Sequence, residues 1–487
     1  MDLSMKFKAP IDPMVKFPQF FNFILLMTLI NGPAPVSSQN TFSKGALLPH
    51  HQLAYDLFKE LIETKTTLND GCSKAAEAMA TRLRVAGFPD KDIIMAGPQP
   101  AHMNLVVRFR GRGVLKPILF IGHLDVVEAR RQDWSLDPFQ LIERDGYYYG
   151  RGTIDMKNED ASMIANLIRL KREGFVPERD IIVALTEDEE GGDFNGVQWL
   201  LDNRKDLIEA EYCINPDSGG GEIKNGKPSV MEIQTCEKIY IDFNLEVKNK
   251  GGHSSRPVKE NAIYRLAAAL TRLSAFDFPI QLNETTRMFF ERSSLKESGQ
   301  TKSDMLAVSK VPTDMEAAKR LAASSSYYNS MLRTTCVATM LSGGHAENAL
   351  PQIARANINC RMHPDDKPEN VIATLKSVVG DTLVNITSTY TSVISPRSPL
   401  RKEVMEELES LTASMWPGVI VTPVMSTGAS DSKFIRAAGI PVYGISGMFT
   451  DIDDDRAHGK DERIGVKEFY DGIDFTYKLM KKLASGK

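Results

Sequence analysis

The sequence predicts an α/β protein with a mostly parallel central sheet, into which a second, smaller α+β domain is inserted. Two observations predict this class. Helix and strand patterns alternate from residue 51 to about 235, and a different pattern then runs to about residue 394 before a buried-strand pattern returns. The length of 487 residues also exceeds the usual size of one hydrophobic core. We therefore expect a larger domain of residues 39–237 and 395–487, a smaller domain of residues 238–394, and an N-terminal targeting segment of residues 1–38.

In the larger domain, apolar residues recur at helical spacing in KAAEAMATRLRVAG, which ends near Gly87, and in DASMIANLIRLKREG, which ends at Gly174. The short apolar runs KPILFIGHLDVV, DIIVAL and GIPVYGISG are typical of buried strands. Strands that alternate with helices form a sheet covered on both faces, and ligands bind beyond the carboxyl ends of its strands.

In the smaller domain, KIYIDFNLEVKNKGG alternates apolar and polar residues, which predicts a half-buried strand. Two further strands, ARANINCRM and TLVNITSTYTSVI, and two helices, NAIYRLAAALTRLSAF and PENVIATLKSVVG, are predicted around it. Residues 291–332 are mostly polar with an Ala-rich helical stretch, and they either cover a cleft or form a solvated excursion on this domain.

Composition excludes one large class of partner. The formal net charge is -4, so no basic excess is present to neutralise the phosphates of a nucleic acid. The five cysteines include no C-x-x-C pair, which argues against both a disulfide scaffold and a thiolate zinc site. We expect Cys213 and Cys360 to be small buried apolar residues, and the odd count leaves at least one thiol free or paired between chains.

The N-terminus has the order of a secretory signal. Three lysines within the first sixteen residues precede the apolar run FPQFFNFILLMTLI, and the small-residue stretch NGPAPVSSQ follows it. The run is short for a membrane span of roughly 20 residues. We expect a secreted or periplasmic protein with no stable membrane span in its mature form, and an uncleaved N-terminal anchor is the alternative.

Four polar clusters follow apolar strands or lie in Gly-rich turns: GHLDVV (122–127), GRGTIDMK (150–157), TEDEEGG (186–192) and NPDSGGG (215–221). Any one of them alone is better explained by a solvated loop acid or a hydrogen-bonded histidine. Together they offer carboxylates and an imidazole at the expected ligand edge of the sheet, a donor set that suits zinc, manganese or cobalt. One cation cannot neutralise so many acids, so the pattern favours a pair of metal ions.

The late segment DIDDDRAHGKDERIG (451–465) adds a second imidazole, His458, in a Gly-containing loop. The same segment has a rival interpretation as a calcium loop, because acids stand at alternate positions from Asp451 and Glu462 occupies the twelfth place. A calcium loop needs glycine at its sixth place, where this sequence has Arg456. The calcium interpretation is therefore weaker than that of a solvated acidic loop.

In this order, the motifs resemble the co-catalytic zinc metallopeptidase family that includes carboxypeptidase G, aminoacylase and succinyl-diaminopimelate desuccinylase, and within it the exported dipeptidase-like members. The resemblance runs from about residue 50 to the end. It implies a zinc-exopeptidase-like catalytic domain, an inserted lid or dimerisation domain, and two Zn²⁺ ions that Co²⁺ or Mn²⁺ can replace. The implied ligands are His123 and Asp217 for one ion, Glu190 and His458 for the other, and Asp155 as the bridge. Some relatives have Glu where this chain has Asp217.

The resemblance also implies roles around the metals. Glu189 would be the general base, and Asp125 would orient the imidazole of His123. His253, in KGGHSSRP, would reach across a homodimer to polarise the scissile carbonyl. From the residues alone, His253 is better explained as an ordinary turn histidine.

Three residues are implied to hold the substrate. Asn348 and Arg361 lie in NALPQIARANINCR, and Gly428 lies in STGASDSKFIRAAGIP. A guanidinium binds a planar carboxylate through two hydrogen bonds, although Arg361 could also be a surface charge at a strand edge.

These residues predict metal-assisted hydrolysis of an amide bond. The first interpretation is a dipeptidase or carboxypeptidase-like enzyme that cleaves next to a free carboxylate in a small peptide. The second is an N-acyl-amino-acid amidohydrolase, which uses the same catalytic residues. A non-catalytic metal-binding or peptide-binding protein would be expected if the base or a ligand were missing, and all of these positions are filled.

Overall fold

The protein is described here by a computed structural model of residues 47–388 and 393–486, which belong to one compact unit. The predicted targeting segment, residues 1–38, lies outside the described residues. Among the residues described, no helix has both the length and the apolar character needed to cross a lipid bilayer.

Helices and strands alternate in the first part of the chain. The helices are α1 (Pro49–Glu63), α2 (Ser73–Val85), α3 (Lys157–Arg172), α4 (Gly196–Asn203) and α5 (Lys205–Ile208). The strands are β1 (Ile93–Gln99), β2 (His102–Phe109), β3 (Ile118–His123), β4 (Ile142–Arg144), β5 (Tyr147–Tyr149), β6 (Ile181–Thr186), β7 (Tyr212–Ile214), β8 (Gly220–Lys224) and β9 (Lys227–Glu237).

The rest of the chain completes the set of elements. The middle part contains β10 (Ile239–Lys248), β11 (Gly252–His253), α6 (Ala262–Ser274), α7 (Glu284–Ser293), α8 (Gly299–Ser309), α9 (Met315–Ser324), α10 (Ser326–Leu332), β12 (Thr335–Gly343), β13 (Ala349–Leu350), β14 (Ile353–Met362), α11 (Pro368–Val379) and β15 (Val384–Ser388). The last part contains α12 (Lys402–Met415), β16 (Ile420–Ser426), α13 (Ser432–Ala437), β17 (Val442–Tyr443), β18 (Phe449–Asp451), β19 (Arg463–Gly465) and α14 (Val466–Ser485).

The central sheet has the strand order β1–β2–β6–β3–β7–β17. Strands β6, β3, β7 and β17 are parallel, while β1 and β2 form an antiparallel edge. Along β3, Phe120 packs with helices α1, α2, α3, α12 and α14 on one face, and its neighbours Leu119 and Ile121 pack with α4, α5 and α13 on the other. Because both faces are buried, these strands are continuous apolar runs. The predicted α/β class with a mostly parallel central sheet is confirmed.

A separate antiparallel sheet, in the order β12–β14–β10–β15, occupies the middle of the chain. Its inward residues, such as Phe243 on β10, pack against Leu266 of α6 and Leu375 of α11 in a core of their own. Alternate residues of β10 are buried, as the period of two predicts. The domain boundaries at residues 238 and 394 remain a prediction.

Residues 291–332 differ from the prediction of a solvated excursion on the smaller domain. Together with α7 they form a group of helices whose buried side chains include Phe290 and Leu321. These pack on Val424 and Met425 of β16, in a further sheet of order β16–β9–β8–β18. The sequence pattern does not predict this core, because its apolar residues are dispersed over four short helices among many polar residues.

One cysteine prediction needs correction. Cys360 is buried as expected, but it forms a disulfide with Cys336, which stands opposite it on the neighbouring strand. Cys72, Cys213 and Cys236 are buried free thiols. The pairing depends on the register of β12 against β14, which residue spacing does not reveal.

Candidate metal centre

The predicted metal ligands converge at the carboxyl edge of three adjacent parallel strands. Strand β3 ends at His123, β6 is followed by the acids 187–190, and β7 is followed by a short turn that holds Asp217. Parallel strands present the same ends at one edge of a sheet. Residues far apart in sequence therefore meet there.

The first group of ligand atoms comprises His123, Asp155 and Asp217. The Nε2 atom of His123 lies 3.1 Å from Oδ1 of Asp155 and 3.7 Å from Oδ1 of Asp217. The imidazole is almost completely buried at the end of its strand. The turn carrying Asp217 is held by Asn215, whose side-chain oxygen accepts a hydrogen bond from the Asp217 N–H.

The second group comprises Asp155, Glu190 and His458. The Nε2 atom of His458 lies 2.9 Å from Oε1 of Glu190 and 3.0 Å from Oδ2 of Asp155. Asp155 therefore faces one group with each of its carboxylate oxygens. This is the arrangement expected of a carboxylate that bridges two metal ions.

The donor atoms fit a pair of divalent cations. Nε2 of His123 and Oδ1 of Asp155 are both buried, and neither makes a hydrogen bond within the described residues although they lie 3.1 Å apart. Burial would raise the pKa of Asp155, but the imidazoles of His123 and His458 beside its carboxylate outweigh burial and lower that pKa. The hydrogen bond to Asp155 raises the pKa of His458 to about 9, although burial opposes it. Three carboxylates and two imidazoles suit zinc-like or manganese-like ions.

Glu189 lies beside these groups and belongs to neither of them. Its backbone N–H donates a hydrogen bond to Oδ1 of Asp125 at 3.2 Å, and the N–H of Glu190 donates to Oδ2 at 2.9 Å. Burial, and then the negative charge of Asp431, raise the pKa of Glu189 to about 9. The candidate base is therefore held by its backbone while its carboxyl group stays outside both ligand groups.

Asp125 lies beside His123, whose imidazole it is expected to orient. Nδ1 of His123 lies 3.1 Å from the backbone carbonyl oxygen of Asp125 and 3.6 Å from its carboxylate. The carboxylate points to the backbone of residues 189 and 190. Asp125 is thus placed both to orient the imidazole and to fix the segment that carries the base.

Glu462 overturns the calcium-loop interpretation. Its buried carboxylate forms an ion pair with Arg151 at 2.5 Å and accepts a hydrogen bond from the N–H of Ile154 at 2.7 Å. Arg151 also donates to the carbonyl oxygen of His458 at 3.2 Å. The pair joins the loop of Asp155 to the loop of His458. No sequence motif pointed to it, because the two residues are 311 positions apart.

A cleft of about 520 Å³ opens beside the metal centre. Its lining includes Glu189 and two of the predicted substrate residues, Arg361 and Gly428. It also includes two cations that sequence reasoning missed, Lys238 and Lys433. Burial, and then the charge of Arg361, lower the pKa of Lys238 to about 7. The cleft places positive charge close to the candidate base.

Asn348 and His253 do not line this cleft. They lie together where β11 pairs with β13, and the N–H of Ser254 donates to the carbonyl oxygen of Asn348 at 3.0 Å. His253 is exposed, and its Nδ1 accepts a hydrogen bond from the N–H of Ser255 at 3.1 Å. The structure therefore does not bring these two residues to the metal centre within one chain.

Residues 119–482 match the protein family described as peptidase family M20/M25/M40. The chain belongs to this family. It is 30% identical over 380 residues to the human N-fatty-acyl-amino acid synthase/hydrolase PM20D1, which covers 75% of this chain and 74% of that protein. It is 29% identical over 395 residues to the probable carboxypeptidase S-like 2 of Dictyostelium discoideum, covering 78% and 74%.

The fold agrees with this assignment. The structure of the M20 family metallo-carboxypeptidase Sso-CP2 from Sulfolobus solfataricus aligns with a TM-score of 0.64 at 18% identity, covering 88% of this chain and 98% of that chain. The predicted family resemblance is confirmed. As a member of the M20 family, the protein is a metal-dependent hydrolase of the peptidase and amidohydrolase type. This result favours an enzyme over the alternative of a non-catalytic binding protein.

Proposed function

We propose that the protein hydrolyses an amide bond next to a free carboxylate in dipeptides or other small peptides, with Glu189 as general base and Zn²⁺ as the metal. The observation that carries the proposal is the position of Glu189, which lines the cleft and stays outside both ligand groups. His123, Asp155, Glu190, Asp217 and His458 would hold the ions. Co²⁺ or Mn²⁺ would serve as substitutes.

The chemistry divides between the ions and the side chains. The two cations would act as Lewis acids that make a water acidic near neutral pH and polarise the substrate carbonyl. Glu189 takes a proton from that water and delivers it to the leaving nitrogen. Nearby positive charge lowers the pKa of a carboxyl group, so the metals would bring Glu189 from about 9 toward the working range.

The cleft supports a substrate with a free carboxylate. Lys238, Arg361 and Lys433 line it, and a guanidinium can bind a carboxylate through two hydrogen bonds. The guanidinium of Arg361 lies over the ring of Tyr240, 4.7 Å from its centre, which restricts its direction. Six of the twelve residues that line the cleft are charged, and desolvating such groups disfavours a long apolar acyl chain beside them.

An N-acyl-amino-acid amidohydrolase is the second candidate. The relative PM20D1 is named for N-fatty-acyl amino acids, and both reactions need the same catalytic groups. A long acyl chain would have to leave the polar cleft and lie on another surface. The two candidates therefore differ in the length and polarity of the acyl group that is accepted.

A substrate panel separates the candidates. We expect zinc-loaded protein to cleave dipeptides, with kcat/KM at least tenfold lower for N-acetyl and N-palmitoyl amino acids. Analogues whose carboxylate is replaced by an amide form the matched controls, and they should be cleaved poorly. Preference for long acyl chains would establish the second candidate, and equal cleavage of acid and amide analogues would contradict the role given to the cations of the cleft.

The homodimer is proposed from an open sheet edge. Strand β12 is an edge strand, and its apolar residues Val337, Met340 and Leu341 are 60%, 71% and 70% exposed. Exposed apolar edges are rare unless another chain covers them. Pairing with a second copy through this edge would bury them and would place the smaller domains of both copies side by side.

His253 then acts on the active site of the partner copy, where it stabilises the oxyanion. Mixing two inactive variants tests this role. We expect His253→Ala and Glu189→Gln proteins to recover activity when they are refolded together, because a mixed dimer contains one complete site. If His253 acted within its own chain, the mixture would stay inactive. A Leu341→Lys variant should be monomeric in analytical ultracentrifugation.

Export through a signal peptide within residues 1–38 completes the proposal. The Cys336–Cys360 disulfide supports an oxidising compartment, where such bonds persist. N-terminal sequencing of the protein recovered from its native host should give a chain that begins after the apolar run. Recovery of an uncleaved chain with membranes would establish the anchor instead.

A further inference from the structure

A second cluster of ligand-type side chains lies next to the metal centre and shares no residue with it. It consists of His102, at the start of β2, and of Glu187 and Asp188, which follow β6. Strands β2 and β6 are antiparallel neighbours, so the start of one lies at the end of the other. Nδ1 of His102 is 2.9 Å from Oε2 of Glu187 and 3.9 Å from Oδ2 of Asp188.

The side chains of the four consecutive acids, residues 187–190, therefore do not all face the catalytic ligand groups. Glu190 joins the catalytic ligand groups, whereas Glu187 and Asp188 turn toward His102. A single pair of metals at the catalytic ligand groups does not account for the orientation of Glu187 and Asp188. Among the residues described, His102 is the only basic side chain within 4.0 Å of the carboxylate of either acid.

Glu187 is buried without hydrogen-bond donors. Its side chain is 0% exposed, and neither of its oxygens makes a hydrogen bond within residues 47–388 and 393–486. The Nδ1 atom of His102 is likewise buried and makes none. A buried carboxylate is expected to be paired, hydrogen-bonded or bound to a metal. The Glu187 carboxylate and Nδ1 of His102 face each other, and the distance between them suits two ligands of one ion.

The backbone keeps this space open beside Asp188. Gly192 has a φ of +126°, and a Cβ atom built there would lie 2.3 Å from Oδ2 of Asp188. Only glycine adopts this conformation readily and leaves the carboxylate its room. The centre of the Phe194 ring lies 5.1 Å from the centre of the His102 ring.

We propose that His102, Glu187 and Asp188 bind a third divalent transition-metal ion, such as Zn²⁺ or Mn²⁺, separate from the catalytic pair. One imidazole nitrogen and two carboxylates match the ligand preferences of these ions. The ion neutralises the two acids and fixes the segment that continues into Glu189 and Glu190.

Metal stoichiometry tests the proposal. Full-length protein is stripped with a chelator and titrated with Zn²⁺ by calorimetry, and bound zinc is counted by mass spectrometry after desalting. We expect three ions per chain in the wild type and two in His102→Ala. Two control variants should keep three ions: Glu189→Gln, which alters no ligand group, and His50→Ala, which removes a partly exposed imidazole next to Asp474.

A second series of variants measures metal binding at this site after the catalytic pair of ions has been removed. The His123→Ala/His458→Ala protein should retain one ion, and adding His102→Ala should remove it. Circular dichroism verifies folding, and if His102→Ala does not fold, Glu187→Gln should instead weaken binding of the third ion at least tenfold. Two ions in the wild type, unchanged by His102→Ala or by Glu187→Gln, would overturn the proposal. The number of bound ions is measured without substrate, so the result does not depend on whether the proposed hydrolysis is observed.

Discussion

Asp125 contacts both His123 and the segment of Glu189 and Glu190 in the candidate metal centre. Its backbone carbonyl faces Nδ1 of His123, and its carboxylate accepts hydrogen bonds from the N–H groups of Glu189 and Glu190. The first contact could be predicted because the residues are two positions apart. The second joins segments 64 and 65 positions apart, which only the pairing of β3 with β6 brings together.

The Asp125→Asn variant tests this double role. Asparagine keeps the size of the side chain but turns an amide NH₂ toward one of the two backbone N–H groups. We expect kcat to fall about 10-fold to 100-fold at saturating metal, the range typical of groups that orient metal ligands. Asp145→Asn, at an exposed turn, is the matched control and should behave as wild type. An Asp125→Asn protein with unchanged kcat would show that the base needs no such support.

At the scale of elements, periodicity predicts the parts of the fold that bury a regular face. It locates α2, α3, β3, β6, β10 and α6, because their apolar residues repeat at 3.6 or 2 positions or form continuous buried runs. It does not predict the helices α7–α10 as a packed group, since their common core depends on contacts with β16. The ligand-bearing loops were found because they follow strands whose ends share one edge.

The buried ion pair of Arg151 with Glu462 joins the loop of Asp155 to the loop of His458. Removing one partner of a buried ion pair leaves the other charge uncompensated, which typically costs about 3–5 kcal/mol. We expect Glu462→Gln to lower the free energy of unfolding in urea by that amount and to weaken metal retention. Glu77→Gln, which breaks a pair with Arg84 at the surface, should cost less than about 1 kcal/mol. Equal effects of the two variants would contradict the connection.

At the scale of the whole molecule, burial of acids on α3 makes stability depend on pH. Glu159 is buried, and its carboxyl group accepts a hydrogen bond from Ser446. Burial raises the pKa of Glu159 from 4.5 to about 7, although the hydrogen bond opposes it. The folded protein thus binds this proton more tightly than the unfolded chain. The stabilisation is complete below pH 4.5 and is lost as the pH rises through about 7.

The Glu159→Gln variant removes this titration. The pKa difference corresponds to about 3 kcal/mol, so the wild type should lose up to that amount of stability between pH 5 and pH 8, relative to the variant. Urea unfolding of both metal-loaded proteins at the two pH values measures the difference. Parallel pH dependence in wild type and variant would show that Glu159 does not titrate in this range.

We propose that Glu189 acts as the base of a metal-dependent amide hydrolase and does not bind the metals. The most direct test measures kcat and bound metal together in wild type and Glu189→Gln, with a dipeptide substrate. We expect kcat to fall about 10²-fold to 10⁴-fold, the usual contribution of a general base, while the metal count stays the same. Loss of metal from the variant would make Glu189 a ligand, and a kcat within a few-fold of wild type would place the base elsewhere.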